Sequence, residues 1–208
     1  MTAIKEGMPR QMGRGAPRMK SEERRELILA AASGVFGERG YVGTTTDAVA
    51  KAAGVSQPYV VRMFGTKSAL FEAVLQRSLG TLLREFRREI AAQGRATPEL
   101  PGCIGRCYVE LLSDRGLLLS LMQGFMLGAD PEVGPIVRAG FLEVYRVLRD
   151  EGGFSPEQAA DFLAEGMMIN TLVALRMGAD FDTDRDAREL IEGTMPAKAS
   201  MLRDLARS

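Results

Sequence analysis

The chain has 208 residues, 46% hydrophobic and 26% charged, the balance of a globular protein with one large or two small domains. Its 27 basic and 27 acidic residues cancel, and it has no histidine, which excludes Ser-His-Asp and Cys-His nucleophiles, imidazole proton shuttles and His-ligated zinc. No apolar run approaches the ~18 residues of a membrane helix, and no apolar stretch follows the basic N-terminus as a secretory signal would require.

The zero net charge hides an asymmetry. Residues 1–67 carry 11 Lys and Arg against 6 Asp and Glu, and the rest of the chain is acidic. A basic N-terminal third suits a polyanionic partner, although a solubilising tail would give the same excess. Residues 1–20 mix Gly7, Gly13, Gly15, Pro9 and Pro17 with Arg10, Arg14, Arg18 and Lys20, without apolar period, and read as a disordered arm. Met8, Met12 and Met19 leave open a later translation start.

Order is expected from Ser21, where a serine followed by Glu22 and Glu23 suits a helix N-terminus. Leu27, Ile28, Ala31, Ala32, Val35 and Phe36 recur at helical spacing until Gly40, giving a helix over about 22–39. Thr45 or Thr46 then caps a short helix ending at Gly54, and Ser56 caps another with Pro58 in its first turn. Thr66 caps a long fourth helix through Leu70, Phe71, Val74, Leu75, Leu79, Leu82, Leu83 and Phe86. Further helices are expected at about 98–113, 116–128, 134–151, 156–178 and 185–206, the last interrupted at Pro196. No period-two alternation appears, so the chain reads as all-α, with an arm over 1–20, a compact helical unit over 21–67 and a larger helical unit over 68–208.

The stretch Thr44 to Lys67 carries the functional signal. Two short helices joined by Ala53-Gly54-Val55-Ser56 have the form of a helix-turn-helix, with small Ala50 at the crossing and Gly54 at the turn. The second helix opens on Ser56, Gln57, Pro58 and Tyr59, the polar and aromatic groups a DNA groove would meet.

Here the chain resembles the tetracycline-repressor (TetR) family of bacterial regulators. The matching residues are Ile28-Leu29-Ala30-Ala31-Ala32, Phe36, Gly40, Tyr41, Thr44-Thr45-Thr46, Val49-Ala50, Ala53-Gly54-Val55-Ser56, Phe64, Lys67 and Ala69-Leu70-Phe71. The resemblance implies a homodimer that reads a palindromic double-stranded operator through a DNA-binding domain over 21–67, with a helical effector-binding and dimerisation domain over 68–208; the leading reading is a repressor released by a small, largely apolar effector. By position, Gln57, Pro58, Tyr59 and Arg62 face the groove, and Thr45, Thr46 and Lys67 contact phosphates, with Ser56 at the helix start. Arg62 could pair with guanine or bind a phosphate, and Lys67 could equally be a solvated surface lysine. Val61 stands where many members carry an aromatic residue.

For the effector, the expected lining is Tyr108, Leu112, Met122, Phe125, Met126, Phe141, Tyr145 and Met167, with Asn170 as polar reader. The dimer interface is expected from Phe162, Gly166, Ile169 and Val173 on one helix and Leu190, Met195 and Leu202 on the last. Cys103 and Cys107, one turn apart, read as packing residues of a protein kept in a reducing cytoplasm rather than a sensor or metal site. No cofactor motif appears. The rival readings are a nonspecific architectural DNA binder and a helical enzyme pairing Glu143 with Asp161 or Glu165.

Overall fold

The computed structural model describes residues 21–194, 199–201 and 203, and among them there is no strand. Helix α1 (Ser21–Gly43) breaks where the sequence predicts, at Gly40, whose φ of 69° leaves the right-handed helix. Buried Thr44 closes the break by donating its hydroxyl to the carbonyls of Gly40 (2.8 Å) and Val35 (3.3 Å). Helices α2 (Thr46–Ala52) and α3 (Gln57–Phe64) follow, and then the long α4 (Lys67–Gln93). The distal helices are α5 (Leu100–Leu111), α6 (Arg115–Met126), α7 (Val133–Arg146), α8 (Pro156–Ala174) and α9 (Arg185–Thr194).

Two boundaries differ from expectation. The run expected over 134–151 widens into a π turn at Val147–Glu151, so α7 itself ends at Arg146. The helix expected through residue 178 stops at Ala174, because Arg176 adopts a left-handed conformation (φ 57°) before a 3-10 turn at Met177–Asp180. Pro196 lies outside the described residues, as do the arm and its arginines.

Two apolar cores share α4 as a spine. The first joins Ile28, Leu29 and Phe36 of α1, Val49 and Ala50 of α2, Val60 of α3 and Phe71 of α4 to Leu117 and Leu121 of α6. The second joins Leu82 and Phe86 of α4 to Ile104 and Tyr108 of α5, Leu148, and Ile169 and Leu172 of α8. Helices α1 and α6 cross at close range because small residues meet there. Ser120 donates to the Ser33 carbonyl at 3.3 Å, and a Cβ on Gly116 would lie 3.0 Å from the Gly34 nitrogen. Gly116→Val should therefore force the crossing apart, lowering unfolding free energy by about 1–3 kcal/mol. An unchanged urea midpoint would show that the crossing tolerates bulk.

Candidate nucleic-acid interface

Each part of the helix-turn-helix has a local cause. Of the two candidate threonines, Thr45 caps α2 by accepting from the Ala48 amide at 3.1 Å. The turn follows at Gly54, whose φ of 65° only glycine adopts without strain. The Val55 amide donates to the Ala50 carbonyl at 3.0 Å, folding the turn back onto α2. Fully buried Val60, with half-buried Val55 and Phe64, seats α3 in the first core. Ser56 occupies the N-cap position of α3 but makes no side-chain cap bond, contrary to expectation. Proline at the second helical position removes one donor, and the Tyr59 amide bonds the Ser56 carbonyl instead, at 3.0 Å.

With Val60 inward, α3 turns Ser56, Pro58, Val61 and Arg62 to solvent. Gln57 is half-buried and donates its amide to the Thr46 hydroxyl at 3.2 Å, tying the starts of α2 and α3 together. Tyr59 is half-buried as well, with the guanidinium of Arg62 4.9 Å from its ring centroid and that of Arg24 at 5.4 Å. Arg24 comes from α1 and did not emerge from the sequence; only its place in a basic pair beside two acids marked it. Lys67 is not a free surface lysine. Its ammonium donates to the carbonyls of Tyr41 (3.0 Å) and Val42 (3.4 Å) and lies over the Tyr41 ring, capping the end of α1.

A cavity of about 50 Å³ lies between α4, α5, α6, α7 and α8. Of the expected lining, Tyr108, Phe125, Phe141, Met167 and Asn170 reach it. Met122, Met126 and Tyr145 do not: Met126 is 79% exposed, since one residue past Phe125 is a rotation of about 100° on the helix. Met122 packs into the second core, and Tyr145 lies beneath the Arg149 guanidinium. Leu112 is fully buried in the core and does not line the cavity. Inside the cavity the Tyr108 hydroxyl donates to Asn170 Oδ1. Burial pushes the Tyr108 phenol up to about 12, opposed by its bond to Asn170. Phe125 and Phe141 meet edge to face at 5.9 Å and also border an open groove with Val137, Arg138 and Leu142.

The face of α8 expected to meet a second copy points the other way. Ile169 and Val173 are buried in the chain's own core, and Phe162 and Gly166 line the cavity. The most apolar stripe of α8 is spent on its own protomer. Its solvent face instead carries Ala160, Ala164, Met168 and Thr171 beside the exposed acids Asp161 and Glu165, with Leu175 at the C-cap 64% exposed. Leu190 of α9 is exposed, while Met195 and Leu202 lie outside the described residues.

Cys107 is buried, and its thiol is pushed up to about 11 by desolvation and by the nearby Glu85 and Glu89 carboxylates. Iodoacetamide at mildly alkaline pH should alkylate it about a hundredfold more slowly than the unfolded chain's thiols, as a two-unit rise implies. Equal rates by mass spectrometry would contradict that burial. Glu143 is held by Arg87 (3.2 Å) and Arg146 (3.5 Å), so it is engaged in an ion-pair cluster and not poised with Asp161 or Glu165. Among the described residues no three potential metal ligands cluster, and no helix is long and apolar enough to cross a membrane.

Residues 28–74 match the family described as bacterial regulatory proteins, tetR family. The chain is similar to the HTH-type transcriptional activator FasR of Mycolicibacterium smegmatis, 27% identical over 201 residues, covering 93% of this chain and 90% of that protein. It is 38% identical over 69 residues to the HTH-type transcriptional regulator HbdR of an Aromatoleum species, spanning 33% of this chain and 30% of the relative. Among solved structures, a TetR-like transcriptional regulator from Rhodococcus sp. RHA1 superposes with a TM-score of 0.59 at 22% identity, covering 91% of this chain and 97% of that one. The multidrug binding protein EbrR complexed with ethidium gives 0.54 at 24% identity, covering 88% and 98%. The structural likenesses are of fold, and they extend through the distal helices where the family match stops. Built as described and matched within 28–74, the helix-turn-helix marks this segment as a DNA-binding domain of the kind found in the tetR family of bacterial regulatory proteins.

Proposed function

We propose that two copies of this chain bind an inverted-repeat operator, one α3 in the major groove of each half-site, and that an apolar ligand in the cavity controls the occupancy of that operator. The observation that carries the reading is the single solvent face formed by Ser56, Pro58, Val61 and Arg62, braced from behind by the Gln57–Thr46 bond. Arg62 and Gln57 supply donors for base edges, and Val61 supplies a methyl surface for thymine. The Ser56 hydroxyl, unused as a cap, and Thr45 at the start of α2 suit backbone phosphates. Lys67 keeps one of its three N–H donors beyond the two carbonyls it caps, so it can anchor α1 and reach a phosphate together.

Residues 21–67 form the reading unit, and the remainder holds ligand and partner. Both copies would pair through the exposed stripe of α8, from Ala160 to Leu175, beside Leu190 of α9. Repression is the reading from sequence alone. The relative matched along most of its length is named a transcriptional activator, so the proposal commits to ligand-controlled occupancy in either sense of regulation.

Leu175→Glu tests the pairing. Its charge would have to be desolvated in the interface, so the variant should sediment as a monomer. It should lose roughly a hundredfold or more in affinity for a two-half-site duplex while keeping its affinity for one half-site. A variant that still sediments as a dimer would place the interface elsewhere.

A further inference from the structure

We infer that the interior cavity takes an uncharged, mainly apolar ligand bearing one hydrogen-bond acceptor, which the Asn170 amide receives. The inference rests on the reading of that cavity as the effector site and names the chemical class of its occupant.

No lining residue of the cavity is charged; the walls are leucines, the rings of Phe86, Phe125, Phe141 and Phe162, and the Tyr108–Asn170–Met167 group. A carboxylate, phosphate or ammonium carried in would find no counter-charge, and desolvating it would cost more than apolar packing offsets. The four phenylalanine rings and that of Tyr108 favour an aromatic guest, which they can meet edge to face.

The polar selection comes from one group. Asn170 is only 4% exposed. Its oxygen is taken by the Tyr108 hydroxyl, which stays protonated throughout the physiological range. Among the described residues, the sole acceptor for its two N–H donors is the Met167 thioether at 3.8 Å, a weak one. The opposite amide orientation would set the oxygen against that sulfur, two acceptors facing each other. A buried amide donor short of an acceptor is costly, and a ligand carbonyl or ether oxygen relieves it. The empty cavity, about 50 Å³, has room for a few waters. The Phe125–Phe141 pair is all that both the cavity and the outer groove have in common, so turning these rings would join the two spaces for a larger guest; Arg138, the groove's charged residue, is held by the Gly128 carbonyl at 2.8 Å.

The test is calorimetry of the full chain at neutral pH with four probes of matched carbon count: butyrophenone, butylbenzene, phenylbutyrate and phenylbutylammonium. Butyrophenone should bind about tenfold tighter than butylbenzene. Both charged probes should bind on the order of a hundredfold more weakly than butyrophenone. Asn170→Leu combined with Tyr108→Phe, which removes both donors of the group, should erase the ketone's advantage over butylbenzene. Should that variant misfold, infrared spectra of carbonyl-labelled butyrophenone on the unaltered protein serve instead: its C=O stretch should fall below its value in hexane. An unshifted band, or no binding by any probe, overturns the inference. Tightest binding by a charged probe overturns the class yet keeps the cavity as the effector site. Butyrophenone binding that leaves DNA affinity unchanged upholds the class and overturns the effector reading.

Discussion

Phe71→Ala should lower the unfolding free energy by about 3–5 kcal/mol, the range for removing a buried aromatic ring. Phe71 is fully buried, and its ring lies 4.7 Å from that of Phe36 and 5.1 Å from that of Tyr41. Those three rings join α4 to both sides of the Gly40 break in α1. Tyr41 in turn lies under the Lys67 ammonium, so the cavity left by Phe71 would loosen the cap at the end of α1 as well. Each lost aromatic pair adds about 0.5–1.5 kcal/mol beyond area alone, placing the expected cost toward the upper end. The urea midpoint measures it. A loss below about 1 kcal/mol would mean that the first core collapses around the gap and does not depend on the trio.

Arg62→Ala should cost about 1–3 kcal/mol per half-site, so a dimer on two half-sites should lose roughly a hundredfold or more in operator affinity. The Tyr59 ring beneath the guanidinium holds it on the solvent face of α3, so less side-chain freedom is lost when it docks. Competition titrations against a full set of single-base operator variants separate the two roles of Arg62. Relaxed preference at one symmetric position identifies a base contact, whereas an equal loss on every sequence identifies a phosphate contact. Unchanged operator affinity would remove Arg62 from the interface.

What could be read from the sequence was what is encoded locally. Gly40 and Gly54 mark positive φ values, Thr66 caps α4 through the Ala69 amide, and Val60 sits at the one α3 position that is fully buried. Each depends on residues within one or two helical turns. What escaped depends on contacts between distant segments. Lys67 caps a helix that ends more than twenty residues earlier, and Arg24 shares the Tyr59 ring with Arg62 across two elements. Neither arrangement leaves a periodic trace.

The α8 residues expected at a dimer face lie inward for a different reason. Helix α8 turns its strongest apolar side to its own core, while its outward side mixes Ala160, Ala164 and Met168 with Asp161 and Glu165, and hydrophobicity alone selects the stronger. Ile169 and Val173 are more apolar than Ala164, Met168 and Thr171, so the sequence pointed to the core face. The same arithmetic explains Met126 beside Phe125: near the end of α6 a stripe defined by residue type drifts off the face that turns inward.

Whether α3 reads sequence is decided by selecting bound duplexes from a random pool, at near-physiological salt and with protein refolded from denaturant to strip any carried ligand. The expected product is an inverted repeat, its half-site centres about one helical turn apart or a multiple of it, so that each α3 meets a major groove. A pool that stays random, with binding that vanishes as salt rises, would contradict a sequence-reading helix-turn-helix and leave a binder driven by the phosphate backbone alone.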